Sequence, residues 1–190
     1  MINVGVNINA LRVQPDLRGD SILLTQLDGT YAAQCLARLN DPETRRLTGT
    51  HDEFDLEQVR AWHRGLAGRD DRADWVILHA ETGEFLGDVS FNVVDVANRS
   101  AQFRIALAAA APGRGYGTSA TRLVLDYGFD VVGLHRVGLE VFDYNPRARR
   151  VYEKCGFVAE GVKRQALRWD GEWHDVVVMA ALATERGRPG

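Results

Sequence analysis

The 190-residue sequence is poor in cysteine: Cys35 and Cys155 are its two thiols, and they form no C-x-x-C pair. This favours buried thiols in a reducing compartment over a disulfide or a zinc site. The five histidines show no H-E-x-x-H or paired ligand spacing, and Ser119 lies in no G-x-S-x-G motif. The sequence therefore predicts neither a metal site nor a serine hydrolase.

The chain also lacks an excess of positive charge and a long apolar run. Its net charge is −3 and its isoelectric point is about 6.0, so nucleic acid is not an expected partner. No stretch of about 18 apolar residues is present, and no cationic segment precedes an apolar one in Met1–Ala10. We therefore expect a cytoplasmic protein with no membrane span, signal peptide or membrane partner.

Length and composition are those of one globular domain with a substantial core, since 45% of the residues are hydrophobic and charges of both signs are present. No internal repeat or low-complexity tract divides the chain. Its ends, Met1–Gly19 and Glu185–Gly190, have the character of loose segments. The sequence predicts an N-terminal extension at residues 1–19, a single domain at residues 20–182 and a C-terminal tail at residues 183–190.

The most informative feature that is present is the glycine-rich stretch Pro112–Thr118. Gly113, Gly115 and Gly117 stand between a short apolar strand and a well-patterned helix. Without Cβ atoms the backbone can approach an anion closely, and the free N–H groups of the first helical turn point at it. The stretch lacks the Lys of a P-loop and the G-x-G-x-x-G spacing of a dinucleotide fold. A tight connection and a cradle for a pyrophosphate-bearing cofactor remain as interpretations.

Apolar periodicity and turn signals predict a mixture of strands and helices. The predicted strands are Ile22–Leu27, Trp75–Leu78, Phe85–Leu86 continuing through Val89, Phe91 and Val93, Phe103–Leu107, Arg136–Phe142, Val162–Trp169 and Trp173–Ala181. The predicted helices are one from the cap Asp28 to Asn40, one that starts at a capping box of Asp55 and Gln58 and ends at Gly68, one through Ala120, Leu123, Val124 and Tyr127, and one from Asn145–Pro146 to Gly156.

Three groups of residues resemble signatures of one enzyme family over about residues 20–182. The groups are Gly113–Thr118; Leu134–Val137 with Asn145, Arg147–Ala148 and Tyr152–Phe157; and Glu160–Gly161 ahead of a hairpin that contains Asp175 and Met179. In these motifs the chain resembles the GNAT superfamily of N-acetyltransferases. Within it the similarity is to the branch of ribosomal-protein N-terminal (RimJ/RimL-like) acetyltransferases and spermidine acetyltransferase.

This resemblance implies an α/β (α+β) GNAT fold: a mixed, mostly antiparallel central sheet, flanked by helices and splayed between its fourth and fifth strands to seat the pantetheine arm. It implies acetyl-CoA as cosubstrate, with no metal, and a primary amine as acceptor. The acceptor would be a protein N-terminal amine or a small amine such as a polyamine, and the protein could form a homodimer.

The resemblance also implies site residues. Tyr152 would protonate the departing thiolate, since a tyrosine of ordinary pKa, about 10, stays protonated until needed. Glu140, twelve residues before Tyr152, would receive the proton of an amine whose ordinary pKa is about 10.4. The residues implied to contact the cofactor are Leu107, whose neighbourhood offers a backbone N–H to the oxyanion, Gly113, Arg114, Gly115, Tyr116, Gly117, Thr118, Asn145 and Arg147.

Each of the three polar side chains has an alternative role. Tyr152 lies on the apolar stripe of its helix and could be a core aromatic residue. Glu140 could be a solvated strand residue, and Asn145 could serve only as a helix cap.

Two positions depart from the family pattern. Pro112 stands where the family usually has Arg or Gln, and Gln102 stands where it often has a catalytic Glu. These departures motivate the alternative of a non-catalytic acyl-CoA-binding sensor domain, and the presence of Asn145 and Tyr152 argues against it. The predicted acceptor loops, Leu47–Asp55 and Arg168–Asp175, carry no motif that identifies the acceptor.

Overall fold

A computed structural model of the protein describes residues 5–108 and 113–186. Within these ranges an eight-stranded sheet is flanked by helices. The strands are β1 (Leu17–Arg18), β2 (Ile22–Gln26), β3 (Ala73–His79), β4 (Phe85–Asp95), β5 (Ser100–Leu107), β6 (Arg136–Phe142), β7 (Val158–Trp169) and β8 (Glu172–Leu182). The α-helices are α1 (Ile8–Arg12), α2 (Ala32–Leu39), α3 (Pro42–Thr48), α4 (Leu56–Arg64), α5 (Tyr116–Tyr127) and α6 (Pro146–Lys154). In the described part of the chain, no helix has the length and apolar character needed to cross a membrane.

The sheet is mixed and mostly antiparallel, which confirms the predicted fold class. Its strand order is β1-β2-β3-β4-β5-β6-β8-β7, and β5 and β6 form a parallel pair. Strands β2 to β5 are an antiparallel meander, as the alternating apolar pattern and the turn at Gly83 predict.

Strands β5 and β6 pair only at their beginnings. The paired residues are Ser100 with Arg136, Ala101 with Val137, and Gln102 with Gly138. Strand β5 then continues to Leu107 and β6 to Phe142 without pairing to each other. We call the space between residues 103–107 and residues 139–142 the gap. The gap confirms the predicted splay. It was predicted between the fourth and fifth strands, which are β5 and β6 here because β1 was not among the predicted strands.

Helices cover both faces of the sheet. Apolar side chains of α1, α5 and α6 pack with Trp75 and Ile77 on one face, which we call the α5 face. Side chains of α2 and α4 pack with Val76 and Leu78 on the other, the α2 face. Alternation along each strand therefore decides which residues of β4, β5 and β6 lie on which face.

Several local predictions differ from the structure near α2 and α4. The carboxylate of Asp28 accepts from the N–H of Thr30 (2.9 Å) in a turn, and α2 begins only at Ala32 without a side-chain cap in the described structure. Asp28 is therefore not a helix cap. The capping box of α4 is confirmed, but this helix ends at Gly65 rather than Gly68. The structure also adds α3, which the sequence analysis missed.

The prediction of a loose N-terminal segment is wrong for residues 5–19. Leu11 of α1 is fully buried, and the Tyr127 hydroxyl donates to the carbonyl oxygen of Ala10 (2.8 Å). The Trp75 indole donates to the carbonyl oxygen of Pro15 (3.2 Å), and β1 pairs with β2. These contacts make the segment part of the core on the α5 face. At the other end, the Arg186 guanidinium pairs with Asp126 of α5 and with Asp130 of the π-helical segment Gly128–Val132 that follows it.

Candidate active site

The glycine-rich stretch forms the entry to α5. Gly113 and Gly115 have φ angles of +90° and +81°, which side chains with a Cβ rarely adopt, so glycine is required by the backbone there. Gly115 is the N-cap of α5, and no side-chain cap is present in the described structure. The N–H groups of the first turn thus stay free, and with the helix dipole they fit an anionic phosphate. Pro112 lies outside the described residues.

Other predicted cofactor residues of this stretch differ in exposure. The Tyr116 side chain is buried with its ring edge against His79 (6.0 Å between centroids), so Tyr116 offers its backbone N–H. Gly117 lies inside α5, where an added Cβ would stand 3.3 Å from Cδ1 of Leu107. Arg114 is exposed, and the Thr118 carbonyl accepts from the Cys155 thiol (3.7 Å).

The backbone of Leu107 faces the gap. The N–H of Ala108 donates to the carbonyl oxygen of Leu86 in β4 (2.8 Å). Since successive N–H groups of a strand point to opposite edges, the N–H of Leu107 points away from β4 and towards the gap. An unpaired strand edge of this kind offers hydrogen bonds to an extended ligand.

Helix α6 carries Tyr152 to the gap on the α5 face. The helix begins where Oδ1 of Asn145 accepts from the N–H of Ala148 (3.1 Å). Tyr152 is 8% exposed, and its ring lies 6.2 Å from that of Phe103, the first β5 residue beyond the paired segment. Burial raises the pKa of Tyr152 to about 12, and no hydrogen bond of its hydroxyl is present within the described residues. The hydroxyl therefore stays protonated and is free to donate.

Asn145 and Arg147 stand at the start of α6. The oxygen of the Asn145 side chain is used by the helix cap, which confirms the predicted cap, and contact of Asn145 with the cofactor is compatible with it and stays a prediction. Its amide nitrogen is not required for the cap. Arg147 is exposed in the first turn, where it can reach a ligand at the surface.

Glu140 lies on the α2 face of β6, because its neighbours Leu139 and Val141 point into the core of the α5 face. Its side chain is 48% exposed and pairs with Lys163 of β7. Glu140 and Tyr152 are therefore on opposite faces of the sheet, at the same gap. Gln102 pairs with Gly138, two residues before Glu140 along β6.

The two predicted acceptor loops meet on the α2 side of the gap. The His51 ring stacks on the Trp169 ring with 5.0 Å between centroids, which joins the loop after α3 to the β7–β8 hairpin. Nearby, the Tyr144 hydroxyl donates to the carbonyl oxygen of Arg46 (2.6 Å). No local sequence signal predicts that these loops contact each other, since the contacts depend on the tertiary fold.

Sequence analysis also missed a polar cavity of about 460 Å³ on the α2 face. Its charged lining residues are Arg38, Arg72, Asp74, Asp88 and Arg104, and His63 also lines it. A signal was present in β4 and β5, where polar residues alternate with apolar ones on a face that helices cover. No group of three or more His, Cys, Asp or Glu side chains is placed to hold a metal ion within residues 5–108 and 113–186.

Comparison with known proteins finds relatives that are named as N-acetyltransferases. The family model described as "Acetyltransferase (GNAT) domain" matches residues 22–158. A probable N-acetyltransferase of Bacillus subtilis, YjcK, is 36% identical over 87% of this chain and 96% of its own length. The spermidine N(1)-acetyltransferase of Vibrio cholerae is 34% identical, over 53% of this chain and 58% of its own length.

A solved structure has a similar fold over most of this chain. The crystal structure of spermidine N-acetyltransferase from Vibrio cholerae in complex with CoA and spermine superimposes with a TM-score of 0.82. The superposition covers 87% of this chain and 98% of that one, at 23% sequence identity. At this level of identity the superposition supports the common fold alone.

Proposed function

This chain belongs to the GNAT family of acetyltransferases and is an N-acetyltransferase, and we propose that it transfers the acetyl group of acetyl-CoA to a primary amine across the gap between β5 and β6. The acceptor class proposed is a protein N-terminal amine or a small amine. The observation that carries the proposal is the gap itself, which opens between an uncapped helix N-terminus and a buried, protonated tyrosine.

In this proposal acetyl-CoA lies along the unpaired edge of β5. The free N–H groups at the start of α5 hold the pyrophosphate, with exposed Arg114 and Arg147 beside it. The pantetheine arm follows β5 into the gap, where the Leu107 N–H supplies a hydrogen bond in the manner of an added strand. A backbone N–H in this segment also stabilises the oxyanion that forms on the thioester carbonyl.

The proposed chemistry is direct transfer in a ternary complex. The amine must first lose a proton, which Glu140 receives directly or through water. The nitrogen then forms a bond to the acetyl carbonyl carbon, and the bond between that carbon and the CoA sulfur breaks. Tyr152 gives its proton to the departing sulfur from the opposite face of the sheet, and the second proton that the nitrogen loses as the amide forms passes to water, from which the tyrosine hydroxyl is restored. Holding the amine and the thioester together supplies a large part of the acceleration.

The role proposed for Glu140 must be compatible with its ion pair to Lys163. Because Lys163 pairs with Glu140, the arriving ammonium group would compete with Lys163 for the carboxylate. The high exposure of both partners makes this ion pair weak, at most about 1 kcal/mol. An amine substrate can therefore displace it.

A thiol-release assay tests the proposal. The protein is incubated with acetyl-CoA and a panel of amines: N-terminal peptides, amino acids and polyamines. Turnover with at least one of them is expected. Tight CoA binding by calorimetry without turnover on any amine would instead support the non-catalytic sensor, which no described contact favours. A homodimer remains a prediction that sedimentation can test.

A further inference from the structure

The polar cavity on the α2 face lies between the sheet and the helices that cover it. Its floor is formed by Asp88, Ser90 and Asn92 of β4 with Arg104 of β5, and its walls by residues of α2 and α4. Its volume, about 460 Å³, lies within the range of roughly 300–1,000 Å³ found for small-ligand sites.

The carboxylates that line the cavity are already neutralised. Two nitrogens of Arg72 donate to the two oxygens of Asp74 (2.7 and 2.5 Å). Arg38 donates to Asp88 in a pair that is mostly buried. A cationic ligand would therefore find no free carboxylate among the lining residues, whereas the third arginine, Arg104, has no ion-pair partner within the described residues.

Buried polar atoms in the same cavity also lack hydrogen-bond partners. Arg38 is 7% exposed, and its Nε and Nη1 have no hydrogen-bond partner in the described structure. His63 is 4% exposed and its Nδ1 is likewise without a partner. Since buried polar atoms are normally satisfied, the two free N–H donors of Arg38 indicate a ligand with acceptor atoms. Arg104 itself is exposed to solvent rather than buried, so its guanidinium is accessible to a ligand that enters the cavity.

Arg104 connects the cavity to the gap. It lies two residues beyond Gln102, the last β5 residue that pairs with β6, so its backbone belongs to the edge of the gap. Its side chain lines the cavity beside Ser90, its partner across β4 and β5. A ligand held in the cavity would therefore extend to the place where the acetyl group is proposed to lie.

We propose that this cavity binds a carboxylate of the acceptor through Arg104 and the unpartnered nitrogens of Arg38, so that the acceptor is a primary amine that carries a carboxylate rather than a polyamine. This inference rests on the proposed function. The shared chemistry is that of an amino acid or of a peptide with an acidic residue near its N-terminus. A polyamine would instead bring further positive charge beside three arginines.

Matched acid and amide substrates test this proposal. The pairs are 4-aminobutyrate with its amide, and the peptides Ser-Asp-Ala and Ser-Asn-Ala, each carried as a C-terminal amide, with spermidine as the cation. The value of kcat/KM for the better acid is expected to exceed that for its amide by roughly 10- to 100-fold. Which pair shows the preference distinguishes a free amino acid from a peptide.

Two variants assign the preference to the cavity. Arg104→Gln should lower kcat/KM for the acid far more than for the amide, so that the difference between acid and amide is lost. Arg60→Gln, on α4 outside the cavity lining, removes the same charge and should retain the difference. Equal rates on acid and amide in the parent, a preference for spermidine, or an unchanged preference in Arg104→Gln would overturn the proposal. Turnover on spermidine alone would leave the acetyltransferase function standing, whereas turnover on no amine would remove both.

Discussion

Removing the hydroxyl of Tyr152 should affect catalysis and leave stability almost unchanged. The ring packs against Phe103 and Phe157 (centroids 6.2 and 5.8 Å away), so phenylalanine fills the same space. The hydroxyl makes no hydrogen bond within the described residues, so the free energy of unfolding should change by less than about 1 kcal/mol. Loss of the proton donor should lower kcat by roughly 10²- to 10⁴-fold, with the affinity for CoA unchanged.

The matched control is Tyr127→Phe, which removes another buried tyrosine hydroxyl. This hydroxyl donates to the Ala10 carbonyl at 2.8 Å, and its loss should lower the free energy of unfolding by about 1–3 kcal/mol without lowering kcat. Urea unfolding and thiol release, measured on both variants, give the two expected patterns. A Tyr152→Phe protein with parental kcat would refute the assignment of the acid.

Four further substitutions have defined outcomes. Glu140→Gln should lower turnover most at low pH, where few amines arrive deprotonated; a pH profile parallel to the parent's would assign the base to another group. Burial lowers the pKa of His63 below its ordinary value of about 6.5. Neutral His63 therefore stabilises the fold fully above about pH 6.5, and this contribution is lost as the pH falls towards the lowered pKa of His63. In urea unfolding the free energy of unfolding should decrease with falling pH over this range, and His63→Gln should make that decrease smaller. An alanine Cβ at Gly87 would stand 2.2 Å from the Ala106 carbonyl oxygen at a φ of +149°, so Gly87→Ala should cost roughly 2–4 kcal/mol. Gly83→Ala, in open space at a φ of +69°, should cost only about 1–2 kcal/mol in thermal or urea unfolding.

Structural features that depend only on residues close together in the sequence were predictable from it. The capping box at Asp55, the start of α6 at Asn145 and the strand alternation around Glu140 are all local signals, and each is confirmed. Helix α3 also had local signals, since the carboxylate of Asp41 caps it and Gly49 ends it. Its seven residues bury little apolar surface, so no periodic pattern accompanied those signals.

Contacts between distant parts of the chain could not be predicted in this way. The hydrogen bond from Tyr127 to Ala10 joins residues 117 positions apart, and it makes the N-terminal segment part of the core. The pairing of Glu140 with Lys163 depends on the register of β7, β8 and β6. The cavity around Arg104 is formed by strands of the sheet together with two helices. The periodicity of one segment cannot predict which charged side chains from several segments pair with each other.

The most direct test of the central claim is a single-turnover measurement with acetyl-CoA in the presence and absence of an amine acceptor. Direct transfer across the gap predicts that free CoA thiol appears only when the amine is present, with one N-acetylated product for each thiol and no change in the mass of the protein. Release of thiol without an amine, accompanied by an acetyl group on the protein, would contradict direct transfer. Absence of an N-acetylated product with every amine would contradict the enzyme assignment itself.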